Sequence, residues 1–394
     1  MTDDLAIPMI ALAILAGASC GDSADSTRGE DGGPDSGAGS STGGHDPSES
    51  LDAAVMDGSS ADQDAADGRI TDGAAADGAI LDGGSADDAT ADGGGPLVCG
   101  GSECPSLSGY SSRCNAQDHC QYERTVESEP WHPLDVWVHV PGGSFPMGAG
   151  PTERAPDQAR DTATPVRTVT FSYGFLVAKY EAVVAAYEAC EASGICTPPS
   201  VADHDPTSTG LNRSTGDRSL HPQNGVTWDQ ARTFCAWLEG RLPSEAEWEF
   251  AVNGADVHRV FPWGDEPGAT CARAVVNDAY ASPCDAACTA GVGCATGGTF
   301  PVGARPNGVS ARGLLDTVGN IAEWTEDCVH DDYVGAPTDG SAWSTACTSA
   351  TGARFRGGAY HHGSPQTILT VAGHYRNSKT LRSAVMGVRC VRDP

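Results

Sequence analysis

His361 and His362 stand side by side, and His374-Tyr375-Arg376 follows in the same stretch. Imidazole nitrogens suit Cu, Zn or Fe, so this stretch is a first candidate for a metal centre. In an extended segment, however, adjacent side chains leave opposite faces, and His361 and His362 would not share one ion there. Hydrogen-bonding pocket residues and ordinary surface histidines are the other readings. Glu245, Glu247 and Glu249 form a second candidate, a run of carboxylates that could pass for a catalytic cluster. The first two fall in the first turn of a helix, where acids stabilise the macrodipole, and that is the plainer reading. Fifteen cysteines form the third. Cys190 and Cys196 flank Glu-Ala-Ser-Gly-Ile and can close a small loop. Cys328 and Cys347 bracket a Gly/Ser/Thr-rich excursion. Cys271, Cys284, Cys288 and Cys294 fall in one loop-like insertion, while Cys99, Cys104, Cys114 and Cys120 form a small knot ahead of the main domain. Cys284-x3-Cys288 and Cys114-x5-Cys120 lack the Cys-x-x-Cys spacing of zinc sites, with no His at the usual interval. Disulfides are therefore expected, and with them an oxidising compartment.

Several elements must position these residues. Val136-Trp-Val-His-Val140 alternates as a strand and Pro141-Gly-Gly ends it in a turn. Arg167-Thr-Val-Thr-Phe171 reads as a second strand, and residues 182–192, rich in Ala, as a helix. Thr227 and Gln230 make a capping box for a helix whose apolar stripe is Trp228, Ala231, Cys235 and Leu238, with Gly240 as its stop. Ser244-Glu-Ala-Glu247 is a second capping box, starting the helix that carries Trp248 and Ala251 inward. Beyond Gly254 the chain reads as loops, turns and short strands. The class is mixed α+β with little regular secondary structure, and Trp248, Trp263 and Trp324 read as core aromatics.

The N-terminal quarter is a different material. Residues 21–96 hold 18 acids against Arg28 and Arg69, roughly half of the net charge of −30, and no aromatic residue. Such a segment cannot bury enough apolar area to offset the entropy of ordering it, so a disordered linker is expected. Asp52, Asp57, Asp62, Asp67, Asp72, Asp77, Asp82, Asp87 and Asp92 recur every five residues. A calcium-binding β-roll would need a nine-residue Gly-Asp repeat, so the repeat reads as a self-repelling tether. The overall charge excludes nucleic acid as a partner, since phosphates would be repelled. Residues 5–16 are an uncharged apolar run, too short to span a bilayer and suited to a signal-peptide core. The run ends in Leu15-Ala-Gly-Ala-Ser-Cys20, which looks like a bacterial lipoprotein cleavage site, so Cys20 is the expected lipid acceptor. Gly17 replaces the usual Leu, and Asp3 and Asp4 stand where basic residues belong; plain secretion is the alternative. Without Cys20 fourteen cysteines remain, enough for seven disulfides, each stabilising by about 2–4 kcal/mol.

Six motifs then appear in order: Val140-Pro-Gly-Gly-Ser-Phe-Pro-Met-Gly148, His221-Pro-Gln-Asn-Gly-Val-Thr-Trp228, Arg241-Leu-Pro-Ser-Glu-Ala-Glu-Trp-Glu-Phe-Ala251, Phe261-Pro-Trp-Gly-Asp-Glu266, Gly319-Asn-Ile-Ala-Glu-Trp324, and Arg356-Gly-Gly-Ala-Tyr360 with Gly387-Val-Arg-Cys390. Over residues 137–391 the chain resembles the formylglycine-generating-enzyme (sulfatase-modifying factor) family. The resemblance implies an irregular C-type-lectin-like fold and a disulfide between Cys235 and Cys390. It also implies a structural Ca2+ in the segment 316–323. Asp316 and Glu323 would supply side-chain oxygens and Gly319 and Ile321 backbone carbonyls, a set suited to a hard cation. The plain alternative is a turn held by Asn320 with an exposed Glu. A second calcium site of the family is not carried over, because Cys271-Ala-Arg-Ala-Val and the cysteine-rich insertion take its place.

Enzymes of that family oxidise a substrate cysteine in a Cys-x-Pro-x-Arg context, using two cysteines that hold copper, and Cu(I) demands soft thiolates. The matching interval here, residues 361–386, contains no cysteine, so neither copper nor the oxidase is expected. His361, His362, His374, Tyr375 and Arg376 stand on what would be its pocket wall. The His-x3-His-x-Glu iron site of ergothioneine-forming relatives is missing as well. The expected organisation is a signal peptide with Cys20 (1–20), a linker (21–96), a disulfide-rich segment (97–124) and a sulfatase-modifying-factor-like domain (132–394). The expected function is a lipid-anchored, extracytoplasmic, calcium-stabilised binding or accessory module of the cell envelope, with an unknown protein or glycan ligand. An oxidase acting on a protein substrate, by formylglycine or other envelope chemistry, and a purely structural surface protein are the alternatives.

Overall fold

The computed structural model describes residues 96–125, 135–150, 163–200, 210–214, 218–254, 258–265, 270–276, 298–363 and 367–394. The expected signal peptide, Cys20, the acidic linker, Cys284, Cys288 and Cys294 lie outside the described residues. The strands are β1 (Val98–Cys99), β2 (Ser102–Glu103), β3 (Tyr110–Cys114), β4 (Cys120–Arg124), β5 (Val136–Val140), β6 (Gly143–Met147), β7 (Arg167–Phe171) and β8 (Phe175–Ala178). Helices α1 (Val184–Ala192), α2 (Trp228–Trp237) and α3 (Glu245–Asn253) follow, then β9 (Ala322–Val329), β10 (Ser349–Arg356), β11 (His374–Ser378), β12 (Met386–Gly387) and β13 (Val391–Arg392). Among the described residues no helix is long and apolar enough to cross a membrane.

One sheet has the order β13-β8-β5-β4-β3. The cysteine knot is therefore joined to the main domain: its β3–β4 hairpin extends the sheet through pairing of Tyr122 with Trp137, and Cys99–Cys114 and Cys104–Cys120 staple it. A second sheet, β11-β10-β9-β12, corrects the expectation of only short strands beyond Gly254. Both β9 and β10 run to eight residues. Strand β9 shows no apolar/polar alternation because both its faces are inside: Trp324 and Cys328 are buried, and so are Glu323 and Asp327. The β9–β10 register shifts twice between Ser349 and Phe355, local irregularities that bend the strand.

The helices follow their capping signals. Thr227 and Gln230 form the expected reciprocal box, as do Ser244 and Glu247. Helix α1 starts two residues later than expected, because the Ala182 amide bonds Val388 O at 2.9 Å instead of entering a helix. Gly254, at φ 85, ends α3 where an added Cβ would lie 2.9 Å from Ala311 Cβ. Around these elements, Tyr187 of α1 stacks on Phe234 of α2 at 5.4 Å. Phe171 of β7 stacks on Phe250 of α3 at 4.8 Å. Trp248 and Trp324 are core aromatics as expected, while Trp263 is partly buried, stacked on Phe261.

Candidate functional site

Every residue of α3 is buried, Glu245, Glu247 and Glu249 included. Carboxylates withdrawn from water must be paired, and these are. Glu247 accepts from Arg241 at 2.6 and 2.7 Å and from the Ser244 amide at 2.9 Å. Glu249 takes Arg356 Nη1 at 2.9 Å on one oxygen and the Gly148 amide at 2.8 Å on the other. Glu245 Oε1 takes Arg356 Nε at 3.2 Å and His374 Nδ1 at 2.8 Å. Wholly buried Arg356 also donates to Tyr333 OH (2.8 Å) and Val371 O (3.0 Å). Glu245 and Glu249 thus hold the second sheet to α3, a role beyond the helix dipole.

Electrostatics follow from that packing. Burial pushes Glu245 up, but His374 and Arg356 outweigh it and hold the carboxyl below the usual range. Burial pulls His374 down to about 4 against the pull of Glu245, leaving a neutral ring that donates from Nδ1. Burial, then the charge of Glu245, raises Asp327 to about 7. His374 is therefore not on a pocket wall with His361 and His362. Register sets it opposite Arg356, on the face that packs against α3.

His361 and His362 also depart from expectation. The segment turns rather than extends, so the two rings lie close together, with centroids 3.9 Å apart and planes tilted by 39°. His362 Nδ1 accepts the Ala359 amide at 2.9 Å. The neutral ring then carries its proton on Nε2 and offers no lone pair to a metal. Tyr375 pairs with Phe355 at 6.1 Å and lies 6.5 Å from His362. Arg376 is exposed, 3.9 Å from Asp331, and lines an open polar groove of about 330 Å³ with Thr351, Gly352, Asn377 and Ser378. The five expected pocket residues occupy three separate places.

The segment 316–323 is buried throughout, which removes the alternative of an exposed Glu323. Arg389 reaches Glu323 Oε1 at 2.8 and 2.9 Å, and Trp248 Nε1 donates to Oε2 at 2.5 Å. Asp316 accepts the Gly303 amide at 2.5 Å. Glu181, between β8 and α1, is a third carboxylate that sequence reasoning missed. It accepts from Asn320 Nδ2 at 2.6 Å and the Ile321 amide at 3.0 Å. Burial, then Asp316 and Glu323, push Glu181 well above the carboxylate range, and burial raises Asp316 to about 6. Three carboxyl groups share one guanidinium, and a hard cation would favour their ionised forms and offset the charge. Positive φ at Asp316 (57), Gly319 (82) and Asn320 (54) bends the segment sharply. With both Glu323 oxygens already accepting hydrogen bonds, an ion would rest chiefly on Asp316 and the carbonyls of Gly319 and Ile321. A sequence signal did exist: Glu249 between Trp248 and Phe250, and Arg389 between Val388 and Cys390, are charges set among apolar neighbours.

Cys190–Cys196, Cys328–Cys347 and Cys235–Cys390 all form. Cys271 is disulfide-bonded too, so each of the eleven described cysteines is oxidised. Where cysteines meet a possible co-ligand, as at Cys328, His330 and Cys347, the sulfurs belong to a disulfide and supply no thiolate.

A family model described as the sulfatase-modifying factor enzyme 1-like domain matches residues 122–394. The formylglycine-generating enzyme of Thermomonospora curvata is 29% identical over 305 residues, covering 65% of this chain and 93% of that enzyme. Its Streptomyces coelicolor counterpart is 33% identical over 185 residues, 45% of this chain and 54% of that relative, so the chain spans about half of that relative's length. The structure of PvdO from Pseudomonas aeruginosa matches with a TM-score of 0.51 at 25% identity, covering 66% of this chain and 94% of that one. The chain belongs to the sulfatase-modifying factor family, with its irregular C-type-lectin-like α+β fold.

Proposed function

We propose that this is a lipid-anchored, extracytoplasmic member of the family that lacks the copper–thiol oxidase centre and acts as a calcium-stabilised binding or accessory module. One observation carries the reading: residues 361–386 hold no cysteine, and the eleven described cysteines elsewhere are in disulfides. Without a thiolate pair, neither Cu(I) ligation nor exchange with a substrate thiol has its chemistry. His362 does not substitute as a ligand, since its Nδ1 accepts a backbone amide. A relative named inactive Cα-formylglycine-generating enzyme 2, from Bos taurus, is 33% identical over 138 residues, 33% of this chain and 41% of that protein. That name supports a non-oxidase role within the family. Asp316, with the carbonyls of Gly319 and Ile321, would hold the Ca2+, and the ion would stabilise the turn beneath β9. The anchor would be Cys20, the location the cell envelope, and the ligand a protein or glycan.

A second reading, a formylglycine-generating or other envelope oxidase acting on a protein, draws on the 93% coverage of the Thermomonospora enzyme. The test is alkylation with intact-mass analysis of the unreduced protein, joined to copper content and turnover of a Cys-x-Pro-x-Arg peptide. No alkylatable thiol pair, no copper and no turnover are expected. Two free thiols with retained copper would put the oxidase first.

A further inference from the structure

Arg312 is held inside the domain with no carboxylate beside it among the described residues. A tight turn places it: Ser310 Oγ accepts the amides of Arg312 (3.3 Å) and Leu314 (3.0 Å), and the Gly313 amide bonds Ser310 O at 3.0 Å. The disulfide knot then closes over that turn. Asn115 Nδ2 donates to Arg312 O, and Asn115 Oδ1 accepts the amides of Gln117 and His119, each at 3.0 Å. The turn carrying His119 thus rests on the turn carrying Arg312. Gly313 allows the approach, since a Cβ there would lie 2.4 Å from Asn115 Nδ2.

The Arg312 side chain is 3% exposed. Its Nε donates to Phe250 O at 3.4 Å and its guanidinium lies 4.7 Å from the Phe250 ring centroid. Among the described residues, no acceptor takes its terminal nitrogens and no carboxylate forms an ion pair with it. Arg356 and Arg389, equally buried, each have glutamate partners. Two imidazoles act on the same guanidinium: buried His139 of β5 and half-buried His119, whose ring donates to the backbone of Ala311. Gly174 makes room for His139, as a Cβ there would lie 2.6 Å from its Nε2. Burial first and Arg312 second pull both rings down, His139 to about 4, and burial brings Arg312 to about 10. Exposed Asp118, beside His119, is the one acid acting on the cluster among the described residues.

A guanidinium withdrawn from water with no counter-charge is costly, yet the fold builds two turns and two close glycine contacts to keep it. We propose that Arg312, His139 and His119 form a seat for a small oxyanion, of the carboxylate or phosphate class, at the seam between the knot and the main domain. The forked guanidinium suits two oxygens at once, and imidazoles that are neutral alone gain protons beside a negative charge. The site is separate from the binding reading above and does not rest on it. The occupant that fits this chemistry is a free small oxyanion, with inorganic phosphate as its simplest probe.

The test is histidine NMR on the full chain, titrated with inorganic phosphate at constant ionic strength, with His119→Gln and His139→Gln variants assigning the signals. A saturable change at both rings, with protonation midpoints shifted upward, is expected in the wild type and not in Arg312→Met. His119→Gln should weaken phosphate about tenfold, the loss of one hydrogen bond to a charged group. It tests the site even if Arg312→Met fails to fold, because His119 lies on the half-exposed rim. Rings that phosphate does not move, or that move equally in Arg312→Met, would overturn the proposal.

Discussion

Replacing Arg356 with Met tests the charge network beneath α3. The side chain is wholly buried and joins two carboxyl partners, Glu245 at 3.2 Å and Glu249 at 2.9 Å. Met keeps much of the volume but leaves both carboxylates without their guanidinium, and breaking a buried pair in this way costs about 3–5 kcal/mol. For a domain whose whole stability is about 5–15 kcal/mol, that is a large share. The pH dependence separates charge loss from packing loss. Burial already raises Glu249, and without Arg356 its folded-state pKa rises further above the unfolded value near about 4.3. A raised carboxyl contributes stability that is fully present below the unfolded pKa and is lost as pH rises through the folded one. The deficit of Arg356→Met should therefore be larger at about pH 8 than at about pH 5. Urea unfolding read by tryptophan fluorescence measures it, with Trp248 centred 5.7 Å from the Arg356 guanidinium. Adding Glu249→Gln should recover about 1–3 kcal/mol by removing one orphaned charge. A loss under about 1 kcal/mol, or a deficit equal at both pH values, would refute a network held by charge.

Three further outcomes are expected. Added Ca2+ should raise the thermal midpoint by a few degrees at about a hundredfold excess over Kd, and Asp316→Asn should abolish the rise; a wild type indifferent to Ca2+ and to chelator ends the calcium reading. Replacing Cys235 and Cys390 together with Ser opens a loop with a sequence separation of 155. A loop of that length predicts a loss of about 5 kcal/mol in chemical denaturation, and a loss below about 2 kcal/mol would show that the ladder beside it suffices. Asp327, raised to about 7, contributes stability below its unfolded pKa that disappears as pH climbs through 7. Asp327→Asn should then gain on the wild type between about pH 4 and 7, and a constant difference would deny the carboxyl its raised pKa.

Local signals were readable wherever neighbours in sequence are neighbours in space. The boxes Thr227–Gln230 and Ser244–Glu247, the loop Cys190–Cys196 and the strand Arg167–Phe171 each rest on residues within one element or one short loop. The motif order also fixed the family and hence the fold. The His361–His362 expectation failed because it assumed an extended segment, whereas the chain turns there and brings the two rings together.

The sequence alone determined that residues 361–386 contain no thiol, and thus which metal chemistry the family's site lacks. Only the tertiary structure decided which charges are inside. Whether Glu245 is a helix-cap acid or half of a buried ion pair depends on Arg356 and His374, 111 and 129 residues away. Glu181 depends on Asn320, 139 residues away. Arg312 reads as a surface arginine in sequence and is buried in space, with no carboxylate partner among the described residues. The free energy of a charge in a protein is set by the counter-charge and the water left around it, and both are supplied by parts of the chain that local sequence does not join.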